Sequence, residues 1–406
     1  MEVKKLKSIL FIGVNKSGSS REATRVAEKL GYFIVLFTSN DRQYEQRELY
    51  PEIHKMVFVD TTNMEAMRTE ITKLQKTGLD FKTIVSFVDP YVHIASLLCD
   101  EFCINLTSSK AIEMMEDKEE TRKFLMKEAY SPQFKVIGPN EKVSGKLTFP
   151  LILKSPKSTG SKDVLLAQDL KQFNKHLTSL QKKYPEETII AEEYLRGPQY
   201  LVEVIVYKHQ PHIVAVMKQD ITKGKRFIIT GYRLLATVPP NLATSLDALC
   251  ESIVNTFNIE TGAFHLELRL TSKGWKLVEV NPRISGGAMN KMIEAAYGIN
   301  LVEQTLKLFL GEEPDLQPTQ HYFVYTKYLI VKRKGILERV TGKLRATKSP
   351  GVYDVYIKPK KGTLLIPPLS MGHRYAYIIA QGKSISEAVR LANQASRLIK
   401  FHMREP

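Results

Sequence analysis

A chain of 406 residues is long enough for two to four domains and an ample core. With 43% hydrophobic and 25% charged residues it has the make-up of a globular protein, not of a disordered or fibrous one. No run approaches the roughly 18–20 apolar residues of a membrane-spanning helix. The formal net charge of +16 is uneven, for residues 316–406 hold 17 Lys and Arg against 4 Asp and Glu. That segment reads either as a solvated basic surface or as a field that draws anions or an acidic partner. No motif supports a nucleic-acid site. The three Cys residues show no metal spacing, and reduced thiols in a cytoplasmic protein are expected.

Residues 8–106 alternate between two patterns. Apolar runs at 8–14, 32–38, 55–59 and 83–87 read as strands, and stretches at 20–30, 64–77 and 91–102 as helices. This predicts an open parallel α/β sheet, a fold that binds ligands beyond its strand C-termini. The first strand–helix loop, Gly13 to Ser20, is either a plain turn or an anion site made of backbone amides. It is not GxGxxG and no acidic residue closes the second strand, so no dinucleotide is expected.

Residues 109–130 read as helical. Asp117 is placed to cap the second part, with Glu120 three residues on, as in a capping box. Strand, loop and strand follow at 150–167. Lys154 ends the first of these strands, where an ammonium needs a counter-charge or an exit to water. Next come a helix at 169–183, strands at 188–194, 199–208, 211–218 and 226–238, and a helix at 241–257.

The run from Ala263 to Arg283 reads as a hairpin. Its loop is Ser272-Lys273-Gly274, with a left-handed glycine at the last position. In that register Thr271 faces Trp275, Glu267 faces Glu279 and His265 faces Asn281. The last four share one face; Leu266, Leu268, Leu270, Val278 and Val280 take the other. Facing carboxylates repel, which leaves two readings open. In the plain reading both acids point into water or the register is one off; in the functional reading a divalent cation neutralises them. Two Glu and an Asn oxygen are hard ligands that suit Mg²⁺ bridging to a phosphate. Arg283 follows at once, and its fork suits a phosphate or carboxylate. Beyond it, helical segments reach Leu310. Strands are expected at 322–332, 352–358 and 371–382, and a final amphipathic helix at 384–401.

The sequence Glu279-Val280-Asn281-Pro282-Arg283, followed by Ser285-Gly286-Gly287, resembles the metal-binding end of the ATP-grasp superfamily. Further motifs stand in the superfamily's order: Asp117-Lys118 with Arg122 and Leu125, Lys154 before a small-residue loop, Glu192-Glu193-Tyr194-Leu195, and Glu267. The whole is most like bacterial L-amino-acid ligases, which are dipeptide-forming carboxylate–amine ligases. Residues 371–406 are similar to the C-terminal lid of biotin-carboxylase-like and amino-acid-ligase members.

The resemblance implies an N-terminal α/β domain (1–108), a small grasp subdomain with linker helices (109–192), a large grasp subdomain (193–315) and a basic α+β lid (316–406). It implies ATP and Mg²⁺ (or Mn²⁺) as cofactors. Lys118 and Lys154 would hold the phosphates, under a loop in which Ser158, Gly160 and Ser161 cradle them. Glu192, Glu193, Tyr194 and Leu195 would hold adenine and ribose, with Glu203 as a further acidic contact. Glu267, Glu279 and Asn281 would bind the metal, and Arg283 with Lys154 would be catalytic. Arg226, Arg233, His265, Ser285, Gly286 and Gly287 would face the substrates. The 155–162 loop departs from the usual pattern, with one Gly, a shifted Pro and two extra Lys, and Gln199 stands where many relatives have Glu.

The activity so implied is ATP-dependent carboxylate–amine ligation through an acyl phosphate, releasing ADP and phosphate and joining L-amino acids. The alternative is another ATP-grasp ligase, or a carboxylase, acting on bicarbonate or on a nucleotide or cofactor precursor. The expected partners are small-molecule carboxylate and amine substrates, with no membrane and no nucleic acid; a homodimer is left open.

Overall fold

The computed structural model describes residues 5–143, 147–156, 163–222 and 228–405. The N-terminal alternation closes into four parallel strands, β1 (Leu6–Ile12), β2 (Phe33–Thr38), β3 (Lys55–Phe58) and β4 (Leu79–Val85), in the order β3-β2-β1-β4. β4 begins earlier than the expected run at 83–87. Leu79, Phe81 and Thr83 bury alternate side chains, while Asp80 and Lys82 pair with each other outside, so the strand signal already starts at Leu79. Along β1, Ile9 and Phe11 enter the core shared with the rest of the molecule. Leu10 and Ile12 face the other way, against Met67, Ile71 and Leu98 of the covering helices Met64–Lys76 and Val92–Phe102.

Two helices follow, Ser109–Glu116 and Lys118–Phe124. Asp117 caps the second as expected, its Oδ1 accepting from the N–H groups of Glu119 (2.8 Å) and Glu120 (3.1 Å). The reciprocal half of the capping box is not formed: the Asp117 N–H goes to the Glu113 carbonyl and Glu120 pairs with Lys123. Strands β5 (Phe134–Ile137), β6 (Leu151–Lys154), β7 (Leu165–Ala167) and β8 (Ile189–Glu193) then form an antiparallel sheet in the order β5-β8-β6-β7. The helix Leu170–Lys183 covers it with Phe173, Leu177 and Leu180.

The remaining strands are β9 (Gln199–Tyr207), β10 (Gln210–Ile221), β11 (Ile229–Leu234), β12 (Gly262–Thr271), β13 (Gly274–Asn281), β14 (Phe323–Leu329), β15 (Gly335–Thr341), β16 (Val352–Ile357), β17 (Leu364–Leu365), β18 (Ala376–Gly382) and β19 (Lys400–Arg404). Eight of them form one sheet, β13-β12-β9-β10-β11-β14-β18-β16, which runs straight across the 315/316 boundary. The other three form a small sheet, β17-β15-β19. The last helix therefore stops at Ser396 and does not reach 401. Beyond it the chain turns back as β19, pairing Phe401 with Val340 and Met403 with Leu337. Residues 371–373 are a 3₁₀ turn rather than the start of a strand.

A single apolar cluster joins Ile9 and Phe11 of the first sheet, Leu201 and Met217 of the large sheet, and Val324 and Ile379 of its C-terminal strands. Met292 and Leu306, from the helices Met289–Tyr297 and Leu301–Phe309, fill the space between. Each fully buried aliphatic side chain contributes roughly 1.5–3 kcal/mol, so this shared core ties the N-terminal sheet to both other parts.

Candidate active site

In the hairpin β12–β13, His265 pairs with Asn281 and Glu267 with Glu279, as the alternation predicts. Nearer the turn the register changes: Leu268 faces Leu277, Leu270 faces Trp275 and Thr271 faces Gly274. The loop thus closes on two residues, Ser272 and Lys273, with Gly274 at φ +93°, instead of on three. The extra residue is Val278, between the two registers. A bulge of this kind turns the local strand face, and two expectations change with it. Leu277 and Trp275 join Leu266, Leu268 and Val280 in the core, while Val278 faces the same cleft as Glu279.

That cleft has a volume of about 630 Å³ and lies between the small antiparallel sheet and the large one. Lys118, Lys154, Glu267, Glu279, Asn281 and Arg283 all line it. Lys118 stands at the first position of its helix, directly after the Asp117 cap. One turn on, Arg122 is 2% exposed and reaches across to Glu192 at 2.6 Å. Its Nη2 also donates to the carbonyls of Leu277 (3.2 Å) and Val278 (2.7 Å), at the bulge. Lys154, at the end of β6, takes the other Glu192 oxygen at 2.8 Å. Burial alone would raise the Glu192 pKa, but Arg122 and Lys154 outweigh it and hold the carboxyl at about 2. Burial in turn lowers the Lys154 pKa against the pull of Glu192. Both oxygens of Glu192 are thus paired with cations, while the residue itself lines the cleft.

The opposite wall is unlike this. Glu267 and Glu279 stand side by side across the two strands, and burial, with Glu279 next, pushes the Glu267 carboxyl up to about 7. Gln199 Nε2 donates to Glu267 at 2.9 Å, and Lys118 pairs with Glu279 at 3.1 Å. Among the described residues there is no group of three His, Cys, Asp or Glu that could hold a metal. The donors here are two carboxylates and the Asn281 amide. That set fits a hard cation which keeps waters and shares a phosphate, and such a cation would offset both the burial and the facing Glu279 charge that raise the Glu267 pKa. His265 is buried beside them. Burial and then the Arg283 charge lower its pKa to about 4, and its Nδ1 lies 2.9 Å from the Arg283 carbonyl. It is a neutral ring that braces the Arg283 backbone.

Arg283 brings in a residue that sequence reasoning missed. Its Nε and Nη2 both contact Asp89 Oδ1, and its Nη1 donates to the Ile284 carbonyl at 2.9 Å. Asp89 comes from the N-terminal domain just after β4 and also lines the cleft. Only the folded topology brings it within reach.

The other expected residues divide into three groups. Glu193, Tyr194 and Leu195 line the cleft next to apolar Ile152, Leu166 and Val278. Glu193 Oε1 accepts from the Gln133 N–H, and the Tyr194 N–H goes to the Pro150 carbonyl. Ser285, Gly286 and Gly287 pack on the first N-terminal loop: Ser19 Oγ donates to the Ser285 carbonyl at 2.7 Å, and a Cβ on Gly18 would stand 3.3 Å from the Gly287 nitrogen. Ser158, Gly160, Ser161 and Arg226 lie outside the described residues.

Two expectations are corrected. Glu203 does not line the cleft. It is fully buried, receives the Ser285 N–H at 3.2 Å, and burial raises its pKa to about 7. Arg233 points away, to Asp220 at 3.0 Å and toward the Tyr325 ring. Its neighbour Tyr232 lines the cleft, and strand alternation sends the next side chain to the far face.

The paired sheets with a cleft between them define the ATP-grasp fold. Residues 147–291 match the ATP-grasp domain and residues 327–404 match the L-amino acid ligase C-terminal domain 2. The chain is similar to the crystal structure of the L-amino acid ligase of Bacillus licheniformis, with a TM-score of 0.84 at 18% identity, covering 99% of this chain and 100% of the other. It is 23% identical to the L-arginine-specific L-amino acid ligase of Bacillus subtilis over 77% of this chain and 78% of that protein. It is 22% identical to the uncharacterized protein y4rH of Sinorhizobium fredii, over 98% and 84% respectively. The chain thus carries an ATP-grasp domain followed by an L-amino acid ligase C-terminal domain 2. Among the described residues no helix is long and apolar enough to cross a membrane.

Proposed function

We propose that the enzyme activates a small carboxylate with ATP and passes it to an amine, joining L-amino acids through an amide bond. One observation carries this reading: Glu267, Glu279 and Asn281 share one strand-pair face in a cleft whose other wall presents Lys118 and Lys154. The ligase relatives support the substrate class. The boundaries at 108/109, 192/193 and 315/316 belong to the same reading.

Phosphoryl transfer asks a protein mainly for positioning and charge neutralisation. Lys154, fixed by Glu192, and Lys118, fixed at its helix start, would hold the ATP phosphates. Tyr194 and Leu195, next to Ile152, Leu166 and Val278, would take the base, and Leu195 offers an N–H with no hydrogen-bond partner among the described residues. Glu267, Glu279 and Asn281 would hold Mg²⁺ or Mn²⁺, which when bound offsets charge on the transferring phosphoryl group. The substrate carboxylate oxygen attacks the γ-phosphorus and ADP leaves. The amine then attacks the acyl carbon, loses a proton and expels phosphate. Arg283, oriented by Asp89, would face the phosphoryl oxygens in both steps. Glu192 and Glu203 act through their neighbours, on Lys154 and the 285–287 loop.

The test is phosphate release from Mg-ATP with L-amino acids singly and in pairs, with mass analysis of the product. Release that needs a particular pair, with the matching amide mass, supports the proposal. ATP turnover driven by bicarbonate and by no amino acid would overturn it in favour of a carboxylase.

A further inference from the structure

Arg374, beside the cleft, has no counter-charge among the described residues. Arg374 follows the 3₁₀ turn Met371–His373, whose backbone is pinned by a Ser370–His373 capping box and by Lys358 on the Gly372 carbonyl. Its guanidinium lies 3.9 Å above the Tyr328 ring, and its Nε donates to the Met371 carbonyl at 3.2 Å. Its Nη1 is shut off from solvent and has no hydrogen-bond partner, and among the described residues no carboxylate lies within ion-pair distance of it. A half-buried guanidinium in that state is costly, and an anion supplied from the cleft removes the cost.

The position says which anion. Met371 and Tyr232 line the same cleft as Arg283, and the Arg374 charge acts on the Tyr232 phenol, whose pKa burial raises. Tyr328 is packed edge-on between Tyr232 and Tyr377, with ring centroids 6.0 Å apart on both sides. Its hydroxyl lies 3.8 Å from where a Cβ on Gly287 would stand. Arg374 thus sits at the substrate end of the cleft, against the 285–287 loop. Tyr232 on β11 is three strands from Glu267 on β12, roughly 14 Å at the backbone, which sets Arg374 on the far side of the cleft from the strand pair that carries Glu267 and Glu279. A carboxylate that is only held, and never phosphorylated, suits that place.

We propose that Arg374 binds the carboxylate of the amine-donating substrate, making it a specificity residue for a donor that is itself an acid. The proposal rests on the ligase reading above. Its test compares wild type, Arg374→Met and Arg374→Lys in two assays with a fixed acyl substrate. One uses the amino-acid donor and its C-terminal amide; the other uses hydroxylamine, an amine with no carboxylate, and follows the hydroxamate. The expected result is a KM for the donor raised about 10- to 100-fold in Arg374→Met, the scale of a lost charge-assisted bond. Arg374→Lys should recover part of it, discrimination against the amidated donor should disappear, and hydroxamate formation should hold. An unchanged donor KM in Arg374→Met overturns this proposal and leaves the ligase reading standing. So does an equal loss of hydroxamate, which would place the acyl substrate on Arg374. A wild type that makes neither amide nor hydroxamate overturns both.

Discussion

The two walls of the cleft solve the problem of buried charge in opposite ways. On the hinge wall, Arg122, Glu192 and Lys154 are sealed from water, but two cations flank one anion and every Glu192 oxygen is taken. On the hairpin wall, Glu267 and Glu279 face each other, with Gln199, Lys118 and the Arg269 charge set against them. The first wall is satisfied before any ligand arrives. The second holds excess negative charge that a cation and its phosphates would balance. On the proposed reading, a site that positions Lys154 while leaving room for a metal would need one wall of each kind.

The largest expected effect lies on the satisfied wall. Arg122→Met leaves Glu192 with one partner and two unpaired carbonyls, and should cost about 3–5 kcal/mol in urea denaturation, the usual penalty for breaking a buried pair. Next comes Glu279→Gln, which should keep the fold and lower ATP turnover by roughly 10²–10³. A stability loss larger than the activity loss would show that this wall, too, is structural.

Acid should act on the raised and the lowered carboxyls in opposite directions. Glu267 and Glu203 have folded pKa values near 7, above the roughly 4.3 of an unfolded Glu. The native state therefore binds more protons, and stability falls as pH rises from about 4.3 to 7. Glu192, held at about 2, contributes stability that is present above about 4.3 and is lost as pH falls toward 2. Thermal melts of the metal-free protein should peak between these windows, and Glu267→Gln should flatten the limb on the alkaline side. An unaltered limb in that variant would remove the excess-charge account of the hairpin. The smallest effect is expected at Arg233, whose pair with Asp220 is half-exposed; Arg233→Ala should cost at most ~1 kcal/mol and leave the KM for every substrate alone.

The comparison also shows what could be read from the chain. Period-two alternation was enough to put Glu267 opposite Glu279 and His265 opposite Asn281, because both pairs lie on the far side of the bulge from the turn. The same alternation misplaced Val278, since a bulge has no signature in a run of apolar residues. Asp117 could be read as a cap because capping is local. The partner of Arg283 could not, for Asp89 lies 194 positions away and is brought in by the N-terminal sheet. Glu203 looks like a ligand on paper and is a buried prop for Ser285 in the fold. Residues 397–401 continue a helical pattern until β15 offers them a partner strand. Arg374 lies in the lid-like segment, where the sequence assigns it no role, and its place shows only once Tyr328 is beneath it.

The central claim is that the facing carboxylates are the metal–phosphate end of the cleft. Mn²⁺ binding followed by electron paramagnetic resonance, with and without ADP, tests it most directly in wild type, Glu267→Gln and Glu279→Gln. The account predicts Mn²⁺ binding that ADP strengthens and that each substitution weakens about tenfold or more. Equal Mn²⁺ binding in all three proteins, ADP present, would contradict it and send the metal elsewhere in the cleft.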